Sequence, residues 1–172
     1  TNSSSYMPSK VAVATERAEK VVGMHYFNPP FLMPLVEIIK SDQTSDQTAQ
    51  LAYDLMVKIG KSPVMVQKEI PGFIGNRIQA AVWREILWLV EEGIATPQDI
   101  DTVVKTGLGR RLSVAGPFEL TDLTSLAMKQ AIMEELLPSL ASGQKISVIL
   151  KEKVEEGELG IRTGRGFYEW TP

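Results

Sequence analysis

The chain has 172 residues, enough for a sizeable core, and its 44% hydrophobic and 23% charged residues are those of a globular protein, which excludes disordered and fibrous classes. A net charge of −3 without a basic block excludes a nucleic-acid partner, because phosphate binding needs clustered cations. With no cysteine and one histidine, disulfides and thiolate- or imidazole-rich metal sites are excluded as well, and no metal is expected.

The start, TNSSSYMPSK, is polar and is no signal peptide, and no apolar run approaches the ~20 residues that span a bilayer. No membrane partner and a cytoplasmic location are expected. Because the first residue is Thr1, the chain is read as a fragment whose native N-terminus lies upstream.

Three short runs of β-branched or apolar residues bounded by turn residues then predict strands: Val21 to Phe27, Pro34 to Lys40 and Ser62 to Lys68. Between the last two, Leu51, Leu55, Met56 and Ile59 recur at helical spacing within Thr44 to Gly60. Strand, helix and strand make the unit of a parallel sheet. From Pro71 onward strand signals nearly vanish, which sets a domain boundary near Glu69 to Gly72.

Ile74, Ile78, Val82, Ile86 and Val90 recur every four residues, and Trp83, Leu87 and Trp88 widen the apolar surface beyond one stripe. A helix from Gly72 to Glu92, buried on two sides, is expected. Gly93 can end it, and Thr96-Pro97 with Asp99 can start the next. Further helices are expected over about Glu119 to Leu137 and Lys145 to Glu156.

His25 ends an apolar run, and by position alone it reads as a packed core histidine. Its surroundings point elsewhere. It opens HYFNPP, and Glu37 follows twelve residues later on the neighbouring predicted strand, where a carboxylate can fix the imidazole's tautomer as a general base requires.

At these residues the chain resembles a known family. GMHYFNPPFLMPLVEII is similar to the histidine motif of the 3-hydroxyacyl-CoA dehydrogenases, and PGFIGNRI, Pro71 to Ile78, to their second signature. KIGKSPVMV, EEGIATPQDID, GPFEL and TGRGFYEW extend the likeness in register over nearly the whole chain.

The resemblance implies that His25 is the general base for the substrate 3-hydroxyl during hydride transfer to NAD, with Glu37 as its partner. It implies that Ser4, in a start similar to the family's serine motif, bonds the substrate oxygen, and that Asn76 holds the substrate carbonyl. Ser4 could otherwise be an ordinary loop residue and Asn76 a helix cap. Arg77 reads equally as an ion-pair partner or as solvated. The implied partners are an acyl-CoA substrate of the fatty acid β-oxidation type and a second copy in a homodimer.

No GxGxxG turn and following acidic residue, the dinucleotide fingerprint, occur in the sequence. Gly107-Leu108-Gly109 and Gly164-Arg165-Gly166 are expected to be turns. Residues 1–69 are therefore expected to be the C-terminal remnant of a Rossmann-type NAD-binding domain. Residues 70–172 are expected to form an all-α domain for substrate binding and dimerisation.

Two features depart from the family pattern: extra residues in GLGRRLSVAGPFEL, and Ser125 and Ala127 where Gly and Asp are usual. They keep open a dehydrogenase of a free 3-hydroxy acid, of the L-gulonate 3-dehydrogenase type. A non-catalytic helical dimerisation module is the alternative of a different class.

Overall fold

A computed structural model describes residues 1–4 and 6–171. The chain divides into two compact units, Thr1–Ala80 and Ala81–Pro172.

In the first unit, α1 (Pro8–Ala12) precedes a three-stranded sheet of β1 (Gly23–Tyr26), β2 (Leu35–Ile39) and β3 (Ser62–Val66), with α2 (Asp46–Lys58) joining the last two. The order is β1-β2-β3. β2 and β3 run parallel, as the helix between them predicts, and β1 pairs antiparallel with β2. α2 starts where the Ser45 hydroxyl accepts from the Thr48 amide, which satisfies one of its free N–H groups. All three expected strands are present, each shorter than its apolar run.

β2 is central and is buried on both faces, so period-2 alternation places two different sets of side chains. Val36 and Ile38 pack with Ala52 and Met56 of α2. On the opposite face Ile39 joins Val66 and Phe73, and Glu37 shares that face. Gly23 lies on the same side, where a Cβ would stand 3.0 Å from both Ile39 and Pro8, so α1 packs close on the sheet over a glycine. Thr1 lies along the outer edge of β1, its amino group 2.8 Å from the Val22 carbonyl and its own carbonyl 2.7 Å from the Met24 amide.

α3 (Gly75–Glu91) leads from the first unit into the second, followed by α4 (Pro97–Val103), a π-helical turn (Val104–Leu108), α5 (Gly109–Leu112), α6 (Pro117–Thr124), α7 (Leu126–Leu136) and α8 (Val148–Glu155). Thr96 and Asp99 cap α4 reciprocally, each side chain taking the other's backbone N–H at 3.2 Å. α8 is anchored by Glu91, which accepts from the Ser147 hydroxyl at 2.5 Å and the Ile149 amide at 3.2 Å.

The structure corrects two expectations. The single helix over Glu119 to Leu137 is two, broken at Ser125, whose backbone is extended and whose hydroxyl caps α7 by accepting from the Met128 amide. Gly107-Leu108-Gly109 is helical, not a turn: Gly109 closes the wide π-helical turn because a Cβ there would lie 2.8 Å from the Val104 carbonyl. Within the one chain, α3 buries one side and leaves the other open. Leu87 is buried, whereas Ile78, Val82 and Trp83 are 59%, 40% and 46% exposed.

Candidate active site

The antiparallel register of β1 and β2 sets His25 directly opposite Glu37. The two side chains lie on the same face, and Nδ1 of His25 meets Oε2 of Glu37 at 2.8 Å. Both are buried, at 7% and 1% exposure. The second carboxylate oxygen is also occupied: Oε1 of Glu37 accepts from the Ile74 amide at 2.9 Å and the Gly75 amide at 3.0 Å.

Those amides lie at the start of α3, where N–H groups lack intrahelical acceptors and the helix dipole favours an anion. Three donors therefore converge on the buried carboxyl group, the condition under which burying so polar a group is tolerable. With Nδ1 committed to Glu37, Nε2 is the ring nitrogen left for another partner. Nε2 makes no hydrogen bond among the described residues.

Two phenyl rings flank the imidazole, Phe27 at 5.2 Å and Phe73 at 5.5 Å between centroids, both tilted by nearly 60°. Phe27 fits because Gly75 has no Cβ, which would overlap its ring. Phe73 has φ of +49°. For a non-glycine residue that left-handed conformation costs roughly 1–2 kcal/mol.

The HYFNPP loop leaves β1 through a cis Asn28–Pro29 bond and is pinned by the Lys61 ammonium, which donates to the Pro30 and Met33 carbonyls. Asn76 is half-buried in the first turn of α3, and its carboxamide makes no hydrogen bond among the described residues. It is not a capping residue. Ser4 is exposed in the segment before α1 and makes no hydrogen bond to the His25–Glu37 pair among the described residues. Arg77 donates only a long bond, 3.4 Å, to the Pro71 carbonyl.

Sequence reasoning missed the two α3 amides and both phenyl rings. The Phe27 seat had a signal in Gly75; the left-handed Phe73 had none, since phenylalanine is a poor occupant of that region.

In the second unit an apolar cavity of about 80 Å³ is lined by Trp83, Ile86, Leu87, Val90, Ile100 and Phe167, with Asp101 and Tyr168 at its margin. The Lys105 ammonium, 3.0 Å away, holds the Asp101 carboxyl below the usual range. Burial, and then the Tyr168 hydrogen bond to Asp101, push the phenol up.

Comparison with known proteins gives this geometry a family. The family model described as the C-terminal domain of 3-hydroxyacyl-CoA dehydrogenase matches residues 72–170, and the NAD binding domain of the same family matches residues 1–70. The chain belongs to the 3-hydroxyacyl-CoA dehydrogenase family. Its fold is accordingly a Rossmann-like NAD-binding part followed by a helical C-terminal domain, and the cofactor that goes with this membership is NAD.

The 5-formyl-3-hydroxy-2-methylpyridine 4-carboxylate 5-dehydrogenase of Mesorhizobium japonicum is 37% identical over 154 residues, 90% of this chain and 50% of the relative. The crystal structure of an enzyme of that name, described as an NAD+-dependent dismutase, superposes with a TM-score of 0.96 at 34% identity, covering 99% of this chain and 55% of the other. The (S)-3-hydroxybutyryl-CoA dehydrogenase of Ralstonia eutropha gives a TM-score of 0.75 at 37% identity, covering 99% and 59%. The chain thus spans about half the length of the relatives it matches.

The residues present fit the reacting end of a nicotinamide reaction, where an imidazole of fixed tautomer leaves one nitrogen for a substrate proton. They do not fit the phosphate end, since among the described residues no strand runs into a glycine-rich turn that could offer amides to a pyrophosphate.

Proposed function

We propose that this chain carries the base and substrate-positioning residues of an NAD-dependent dehydrogenase that oxidises the 3-hydroxyl of a 3-hydroxyacyl-CoA. The observation that carries the reading is the buried His25–Glu37 pair, with its carboxylate held by the start of α3. Nε2 of His25 takes the hydroxyl proton, and Glu37 stabilises the imidazolium that results. The chemistry that bound NAD would supply is a hydride acceptor for the same carbon. Asn76, with its carboxamide free, holds the substrate carbonyl, and Ser4 bonds the substrate oxygen.

In this reading residues 1–69 are the final part of the dinucleotide domain, and residues 70–172 bind substrate and dimerise. The exposed Ile78, Val82 and Trp83 support a homodimer, because large contiguous apolar patches are uncommon on monomers. Among the described residues no helix is long and apolar enough to cross a membrane. A cytoplasmic location remains part of the proposal.

A second reading, a free carboxylate substrate, is favoured by the TM-score of 0.96 to a pyridine-carboxylate dehydrogenase against 0.75 to a CoA-thioester enzyme. The test uses the full protein that carries this chain. His25→Gln lowers kcat by at least ~100-fold with a smaller effect on KM, and near-normal turnover rejects the base. A kcat/KM higher for a 3-hydroxyacyl thioester than for L-gulonate or a hydroxymethylpyridine carboxylate supports the first reading, and the reverse order supports the second.

A further inference from the structure

We propose that Phe73 is a positioning residue for the His25–Glu37 pair, acting through both its backbone and its ring; the proposal rests on the reading of His25 as the base. The backbone comes first. Pro71-Gly72 forms a turn in which the Phe73 amide donates to the Ile70 carbonyl at 3.0 Å, and Gly72 has φ of +78°. Proline followed by a glycine of positive φ is what a type II turn requires.

The chain does not relax to ordinary geometry after the glycine. Phe73 stays left-handed at φ +49°, and the next two N–H groups, of Ile74 and Gly75, both reach Oε1 of Glu37. Its ring is 2% exposed, packed with Ile39 and Val66, and stands against the imidazole. Phe27 closes the other side over Gly75.

A residue needed only for the turn would be glycine, which adopts positive φ freely. One needed only to fill the core could do so from an unstrained backbone. A phenylalanine in this conformation joins the two tasks: the backbone fixes the carboxylate through its amide donors, and the ring blocks rotation of the imidazole away from Oε2. Retained strain of this kind occurs where a functional geometry demands it.

In the full protein labelled with ¹⁵N-histidine, the His25 imidazole is assigned by its loss in His25→Gln, and its ring nitrogens report the tautomer directly. Wild type is expected to hold Nδ1–H in the neutral form. Phe73→Leu, which conserves apolar volume, should raise the Nε2–H fraction at least ~3-fold and lower kcat about 10-fold with KM within about 2-fold. Phe73→Gly keeps the turn and removes the ring, and it should show the same tautomer change.

In a Glu37→Gln background Phe73→Leu should cost less than ~2-fold more, because it acts through that carboxylate. An unchanged tautomer with kcat within ~2-fold overturns the proposal, as do losses that multiply in the double variant. Loss of the fold in both variants overturns it too, in favour of a purely structural role. Near-normal turnover of His25→Gln sinks the base itself, whereas the tautomer measurement reads positioning without activity, so the two failures are distinguishable.

Discussion

Replacing Glu37 by Gln and by Ala should have sharply different costs, because the carboxylate makes three hydrogen bonds from inside the sheet. Glutamine keeps the shape and one acceptor oxygen for the Ile74 and Gly75 amides. It exchanges charge-assisted bonds for neutral ones, a loss near 1 kcal/mol each, and recovers part of that by not burying a charge. The net is about 2 kcal/mol. Alanine leaves two amides and the imidazole without partners and opens a void, and at ~1–3 kcal/mol per unsatisfied group the cost is about 4 kcal/mol or more.

The three tryptophans all lie in the second unit, so fluorescence would miss the event. Native-state hydrogen exchange at the β2 amides reads it directly. The slowest amides should exchange about 30-fold faster in Glu37→Gln and about 1000-fold faster in Glu37→Ala, at 1.4 kcal/mol per decade. Exchange equal in the two variants would show that Glu37 does not hold α3 to the sheet. Glutamine also offers an NH₂ or a carbonyl to Nδ1, so the tautomer is no longer imposed, and kcat should fall more than stability does.

Two further outcomes are expected. Glu91, Asp99, Asp101 and Glu158 all have carboxyls held below their ordinary range, chiefly by hydrogen bonds from Ser147, Thr96, Lys105 and Lys153 respectively. A lowered folded-state value contributes stability above the unfolded value that is lost as pH falls through the folded one, so the helical unit should weaken below about pH 4.5. Tryptophan fluorescence against pH checks this, and Ser147→Ala should move the onset upward; an unchanged onset would remove Glu91 as an anchor of α8. Titration calorimetry of the 172-residue chain with NAD should give no binding tighter than ~100 µM, since backbone amides of a glycine-rich turn supply most dinucleotide affinity. A micromolar constant would reject that reasoning.

Much of the pair was legible in the sequence. His25 and Glu37 sit on adjacent apolar runs joined by a Pro-rich loop, and an antiparallel register makes them neighbours without long-range information. The β-α-β unit was legible for the same reason, from two periods and one helix stop. The details that escaped depend on single backbone angles or on local competition between hydrogen bonds. Ser125 interrupts a continuous apolar period because its hydroxyl can start a new helix, and the Gly107 to Gly109 stretch stays helical because Gly109 admits the Val104 carbonyl, whereas the sequence suggested a turn. Phe73 escaped because a φ of +49° leaves no compositional trace.

Placing a charged side chain at the middle of the sheet's central strand also bears on how the chain avoids misfolding. β2 reads Leu-Val-Glu-Ile-Ile, and its apolar residues alone would tolerate either face against α2. Slipping β2 by one residue would turn Glu37 toward Ala52 and Met56, away from the Ile74 and Gly75 amides and the imidazole that hold it. The carboxylate that serves the imidazole therefore also rejects the wrong pairing. Engineering that removes it to gain stability would give up the uniqueness of the sheet along with the chemistry.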